Sequence, residues 1–159
     1  MFIAPQASFT RPGNTTQYTA NDLIANDVDS ADVVPMKFDT SRISNHGKIV
    51  AVRLFTDNQT VTVASYNLHL FRTLPTAGAG DNAAYAVASV RDLLGTVALD
   101  LSSGATVSST DKMERVALSV PIVFAGPYEV GAIYGLLQAV GAYSPASGEL
   151  FEVTLEIEG

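Results

Sequence analysis

The chain has two histidines in its 159 residues, and their placement could bring them together. His46 precedes the apolar run "KIVAVRLFT" (48–56), and His69 sits in "TVTVASYNLHLF" (60–71), with "DNQ" between the two runs. Runs dense in β-branched and aromatic residues around a short Asp/Asn turn predict a β-hairpin. With Asn58-Gln59 as a two-residue loop, His69 faces Lys48, and His46 becomes its diagonal neighbour at roughly 7–8 Å. A metal held there would need further ligands, and the Lys48 ammonium between the imidazoles opposes a cation. A single bulge would separate the pair by moving one to the other face. The spacing favours a strand-end histidine with a local hydrogen bond.

The other candidates for chemistry weaken in the same way. Asp81 follows His69 by twelve residues and invites a Ser-His-Asp reading, yet no serine lies in a G-x-S-x-G elbow. The stretch "AGAGDNA" (77–83) has neither GxGxxG spacing nor a Walker lysine. It reads as a loop needing positive φ at Gly78 or Gly80, with Asp81 or Asn82 capping a turn. Asp27, Asp29 and Asp32 suggest a calcium loop, but Ala31 occupies the third ligand position and no glycine follows. Glu149, Glu152, Glu156 and Glu158 could include a glycosidase carboxylate pair, but alternate positions on a strand also form the solvent face of an edge. No catalytic, cofactor-binding or metal-binding residue is expected, and no cofactor is implied.

Composition narrows the partners. Cysteine is absent, which removes disulfides, thiolate nucleophiles and Cys-ligated zinc. The net charge is −7, with nine Lys plus Arg scattered along the chain, so nucleic-acid binding is not expected. No apolar run approaches the ~20 residues that span a bilayer, so no membrane partner is expected. "MFIAPQASFTRPGN" lacks the basic n-region of a signal peptide. A hydrophobic fraction of 47% with 16% charged residues predicts an ordered chain and hints that some apolar surface meets another chain.

The elements that must position these residues read as strands. Residues 1–35, rich in Thr, Asn, Asp and Pro, read as an extended N-terminal arm lying on another surface, and 36–159 as a single β-sandwich domain. "LLGTVALDL", "RVALSVPIVFAG" and "EVGAIYGLLQAVGAY" read as strands. The best helix candidate is "DNAAYAVASVRDLLG" (81–95), with Gly95 as a stop, and one or two short helical turns are expected there. In "GELFEVTLEIEG", Phe151, Val153, Leu155 and Ile157 share one face. Burying those four is worth roughly 6–12 kcal/mol, close to the cost of ordering the strand, so the strand needs a sheet around it. Pro145 and Gly148 are expected to turn it back against the preceding strand. Seven or eight strands with frequent turns predict an all-β, jelly-roll-like sandwich with an extended arm and at most one or two short helices.

Three stretches carry a resemblance. "FTRPGNTTQYTANDLI" (9–24) has Arg-Pro followed by a Tyr-x-x-x-Asp spacing. "NLHLFRTLPTAGAGDNAAY" (67–85) has Leu-His-Leu-Phe, Pro-Thr and Asp-Asn-Ala, and "AIYGLLQAVGAYSPASGELFEVTLEIE" (132–158) has Tyr-x-Pro-x-Ser-Gly-Glu before its last strand. Together they resemble the decoration, or cement, proteins of tailed-bacteriophage heads. The resemblance implies a jelly-roll-like homotrimer on the outer surface of the virion capsid, made in the host cytoplasm. Its partners would be the major capsid protein and its own copies, and its role would be to brace the shell against internal DNA pressure. Candidate interface residues are Phe9, Arg11 and Tyr18 in the arm, with Lys48 and Arg53 on the central strands. Deleting residues 1–20 is expected to weaken shell binding or trimer formation while the sandwich stays folded. The alternative is a carbohydrate-binding sandwich of a phage fibre or secreted protein, a reading weakened by the absence of Trp and the dispersal of the six Tyr. A third reading, a hydrolase using His69 and a carboxylate, would require an activity lost in His69→Ala.

Overall fold

Alternation in the last strand sets the architecture. Phe151, Val153, Leu155 and Ile157 are all fully buried, and they form the spine of one sheet. The computed structural model describes residues 1–43, 46–58, 64–102, 105–106, 110–125 and 131–159, and among these there are eleven strands and no helix. In the first sheet, β1 (Phe2–Ile3) and β2 (Gln6–Thr10) share one edge of β11 (Leu150–Glu158). On the other edge of β11 lie β5 (His46–Thr56), β9 (Lys112–Ala125) and the short β8 (Ala105–Thr106). In the second sheet, β3 (Leu23–Ile24) and β4 (Met36–Asp39) share one edge of β10 (Ala132–Ala139), followed by β6 (Ser65–Phe71) and β7 (Leu93–Asp100).

All these pairings are antiparallel, and they nest. The outermost long pair is β2 with β11, then β4 with β10, β5 with β9, and β6 with β7. That is one long antiparallel ribbon rolled up so that its turns alternate between two sheets, which is the jelly roll. The chain is an all-β sandwich of this kind.

The core lies between the sheets, where Val52, Leu54 and Val153 of one meet Tyr66, Leu68, Leu70 and Leu137 of the other. A bulge at Val50 shifts the phase of β5, so Ile49 and then Val52 and Leu54 point inward. A second, smaller cluster lies on the outer face of the second sheet. There Tyr134, Leu136 and Phe71 are covered by Tyr85 and Val87 from the loop after β6. β10 is therefore buried on both faces and is apolar apart from Gln138.

Four sequence expectations are corrected. β5 and β6 do not form a hairpin; they belong to opposite sheets, and residues 59–63 of the connection lie outside the described residues. β10 and β11 likewise do not pair, so the turn at Gly148 (φ 64°) carries the chain across the sandwich. A local turn signal cannot distinguish pairing beside a strand from crossing over it. No helix forms over 81–95, because the loop folds back on itself, with the Gly78 N–H donating to the Ala86 carbonyl at 2.8 Å and the Ala88 N–H to Thr76 at 3.0 Å. Gly95 lies inside β7, where a Cβ would come within 3.0 Å of Ile122. Finally, residues 1–35 lie on this chain's own sandwich: β1 and β2 complete one sheet and β3 the other.

Candidate functional site

Where the two sheets meet at one end, the structure concentrates its buried polar groups. Arg11 follows β2 directly and is 2% exposed, and its ion-pair partner Asp81 is likewise buried. All five guanidinium N–H donors of Arg11 are used: Nε on the Tyr18 hydroxyl, Nη1 on the Asn14 and Ala146 carbonyls, and Nη2 on the Asn14 side chain and Asp81. The Asp81 carboxylate takes Arg11 at 3.0 Å, the Tyr18 hydroxyl and the Ala25 N–H at 3.0 Å. Burial alone would lower the Arg11 pKa, but the Tyr18 bond and the Asp81 charge outweigh it and hold it above its ordinary value. Burial, reinforced by Asp81, pushes the Tyr18 phenol well up, so it remains a donor.

Local geometry delivers Asp81 to this point. Its N–H donates to the Asp27 carbonyl at 2.7 Å, and a Cβ on Gly80 would lie 1.9 Å from the Val28 carbonyl oxygen. Positive φ is not needed at Gly78 or Gly80, as the sequence suggested; close backbone approach is what demands glycine at 80, and the left-handed residue here is Asn82 (φ 59°).

A second polar group adjoins the first. Glu149 is 1% exposed and receives the Tyr143 and Thr56 hydroxyls, the Asn58 amide at 3.1 Å and the Ala146 N–H at 3.0 Å. Burial and then the Glu149 charge push the Tyr143 phenol well up. Tyr18 and Tyr143 stack at 5.8 Å and exchange backbone hydrogen bonds, while Tyr66 meets Tyr143 edge-on at 5.6 Å. One continuous knot thus joins three stretches that are distant in sequence, containing Arg11 and Tyr18, Asp81, and Tyr143 and Glu149.

The outer faces are chemically different. On the first sheet, Glu156 is buried between Arg53 and Arg115, whose side chains are about half exposed. The Arg115 hydrogen bond, with help from Arg53, holds the Glu156 carboxyl down at about 2. On the second sheet, His69 is fixed by Thr96 through Nδ1 and by Gln138 through Nε2, both at 2.9 Å, and it stacks on Tyr85 at 4.5 Å. Burial lowers the His69 pKa, and burial raises that of Tyr85 to about 12. Asn67 completes an uncharged row by donating to Gln138 at 3.3 Å.

These positions decide the sequence candidates. His46 pairs with Ala125 in the first sheet and His69 with Thr96 and Leu136 in the second, so the two-histidine site does not form. Lys48 faces Val123 and Glu158, and its ammonium binds Glu158 at 2.7 Å. Asp27 and Asp29 accept N–H groups two residues on, as Asx turns do, and no metal-binding group of three or more His, Asp or Glu gathers among the described residues. Of the five interface candidates, Arg11 and Tyr18 are enclosed by the chain itself. Phe9 is half-buried against Phe151, and Arg53 and Lys48 lie on the outer face, occupied by Glu156 and Glu158. Sequence reasoning missed Asp81 as the partner of Arg11 and Glu149 as a buried acceptor. Their one signal was that both lie in the stretches that carry the family resemblance.

No family model matches this chain, and no curated protein sequence does. Among solved structures, it is similar to a carbohydrate-binding module of a glycoside hydrolase family 9 protein from Ruminococcus flavefaciens FD-1, at 14% identity and TM-score 0.37, covering 91% of this chain and 98% of that one. A chain of the Israeli acute paralysis virus particle shares 10% identity at TM-score 0.38, covering 98% and 67%. A chain of Desmodium yellow mottle tymovirus shares 11% at 0.30, covering 99% and 85%. At these values the likenesses carry no argument about this chain.

Proposed function

We propose that this chain is a structural virion protein, a decoration or cement protein that binds the outside of an assembled capsid lattice and stabilises the shell, acting as a homotrimer. The observation that carries the reading is the knot. The three stretches that resemble the phage-head family lie far apart in sequence, yet they supply Arg11 and Tyr18, Asp81, and Tyr143 and Glu149 to one buried network. Residues shared for a common architecture should meet in this way, whereas chance matches would scatter. The use of these buried ionisable side chains as cross-braces also suits a protein that must resist mechanical load.

Its test is binding of the purified chain to empty shells assembled from the major capsid protein of the virus that encodes it. Saturable co-sedimentation, with a trimer by native mass, supports the proposal; a folded chain left in the supernatant counts against it. A second reading draws on the outer face of the second sheet. There Asn67, His69, Gln138 and Thr96 form an uncharged polar row beside the Tyr85 ring, the side-chain chemistry that meets neutral sugars. Specific saturable binding to one class on a glycan array, lost in Tyr85→Ala, would favour that reading.

A further inference from the structure

The lateral edge of the sandwich between β2 and β4 is open on both sides. β1 and β2 pair only with β11, and β4 pairs only with β10, so two strand edges face outward side by side among the described residues. Between them run two adjoining hollows of about 410 and 370 Å³ that share Lys37. Phe2 to Thr10 form one wall, long enough for about nine extended residues at ~3.3 Å each. The hollows are apolar at both ends, where Phe2 is 57% and Val34 is 68% exposed.

The chain carries −7, yet the groove presents Lys37 and Arg42 against one acid, Asp39. Asp39 is turned back onto the Ser41 N–H at 2.8 Å, and hydrogen bonds from Ser41, then the charges of Lys37 and Arg42, hold its carboxyl below the usual range, so the three side chains leave one net positive charge. Neither Lys37 nor Arg42 enters an ion pair among the described residues, whereas Arg11, Lys48, Arg53 and Arg115 all do. A lone edge lysine would merely discourage pairing with other strands. Two unpaired cations beside open backbone edges and exposed apolar side chains instead select a strand that brings carboxylates.

The geometry points to a peptide-binding groove: an extended acidic segment of a partner protein adds to this edge as a strand, its backbone bonded to the open edge and its carboxylates held by Lys37 and Arg42. Backbone bonding gives such a contact its affinity, and the alternate side chains give it its specificity. The segment carries Asp or Glu at alternate positions, with apolar residues between them over Phe2 and Val34.

A random decapeptide library, selected in parallel against the wild-type chain and a Lys37→Glu/Arg42→Glu variant, tests this directly. Arg91→Glu, an exposed change outside the groove, controls for a single charge reversal. The wild type and Arg91→Glu should enrich peptides with alternating acids, which bind the double variant roughly tenfold or more weakly, since two attractive contacts become repulsive. Circular dichroism checks that each variant is folded. Equal enrichment by wild type and double variant, or enrichment without acidic residues, overturns the assignment. So does self-association abolished by the double variant with no peptide selected, because a second copy would then be the occupant.

Discussion

Replacing Asp81 by alanine removes the counter-charge of a guanidinium that has no access to solvent. Arg11 and Asp81 side chains are both fully buried and lie 3.0 Å apart. Breaking a buried pair by deleting one partner costs about 3–5 kcal/mol, because the remaining charge stays buried without compensation. For a domain of this size, each kcal/mol lowers Tm by about 2–4 °C, so Asp81→Ala should melt roughly 6–20 °C lower. Arg11→Met leaves Asp81 with its Tyr18 and Ala25 donors but orphans the Asn14 carbonyl and leaves the Ala146 carbonyl only the Glu149 N–H, so it too destabilises. The double variant Arg11→Met/Asp81→Ala removes both charges and should be less destabilised than the sum of the singles by about 2 kcal/mol. Urea unfolding of the four proteins, with m held constant, measures the coupling. Singles that add within about 0.5 kcal/mol would refute the claim that this pair acts as one unit.

Other consequences are open to similar tests. The Glu156 carboxyl is held at about 2 against an ordinary 4.5, so the stability it contributes is full above about pH 4.5 and is lost as pH falls toward 2. Glu156→Gln should flatten the fall of Tm over that range, and parallel Tm–pH curves for the two proteins would contradict the assignment. Gly80→Ala drives a methyl against the Val28 carbonyl, a backbone obstacle, and should cost at least the upper end of the ~1–3 kcal/mol typical of overpacking. An unchanged denaturation midpoint would show that the loop has room to move. Deleting residues 1–20 removes β1, β2, Arg11 and Tyr18, so the sandwich should lose cooperative unfolding rather than stay folded as the sequence suggested. A sharp thermal transition in the truncated chain would show that the first segment is dispensable.

Much of the fold was legible because it is written in local alternation. Phe151 to Ile157 declared their buried face, and the strands at 93–100, 112–125 and 132–139 were visible as β-rich runs. Connectivity was not legible, because Asn58 and Gly148 mark a reversal without saying which sheet receives the chain. The Val50 bulge broke the phase of β5, so Lys48 and Arg53 could not be assigned to a face from sequence. The first segment looked like an extended arm because it is rich in Thr, Asn, Asp and Pro, while its buried residues Ile3, Tyr18, Leu23 and Ile24 are too sparse to form a pattern. Arg11 and Asp81 are 70 positions apart, and nothing local in either stretch announces the other. The groove beside Lys37 was equally hidden, since it exists only where two distant edges come side by side.

The most direct test of the structural-protein account is a binding isotherm of the folded, full chain on empty capsid shells of the virus that the proposal implies, with occupied positions located by electron cryomicroscopy. The account predicts saturation at symmetry-related sites on the outer surface and a shell that withstands more heat or pressure when occupied. A chain that is folded by circular dichroism yet fails to bind at micromolar concentrations, or leaves shell stability unchanged when bound, would contradict it.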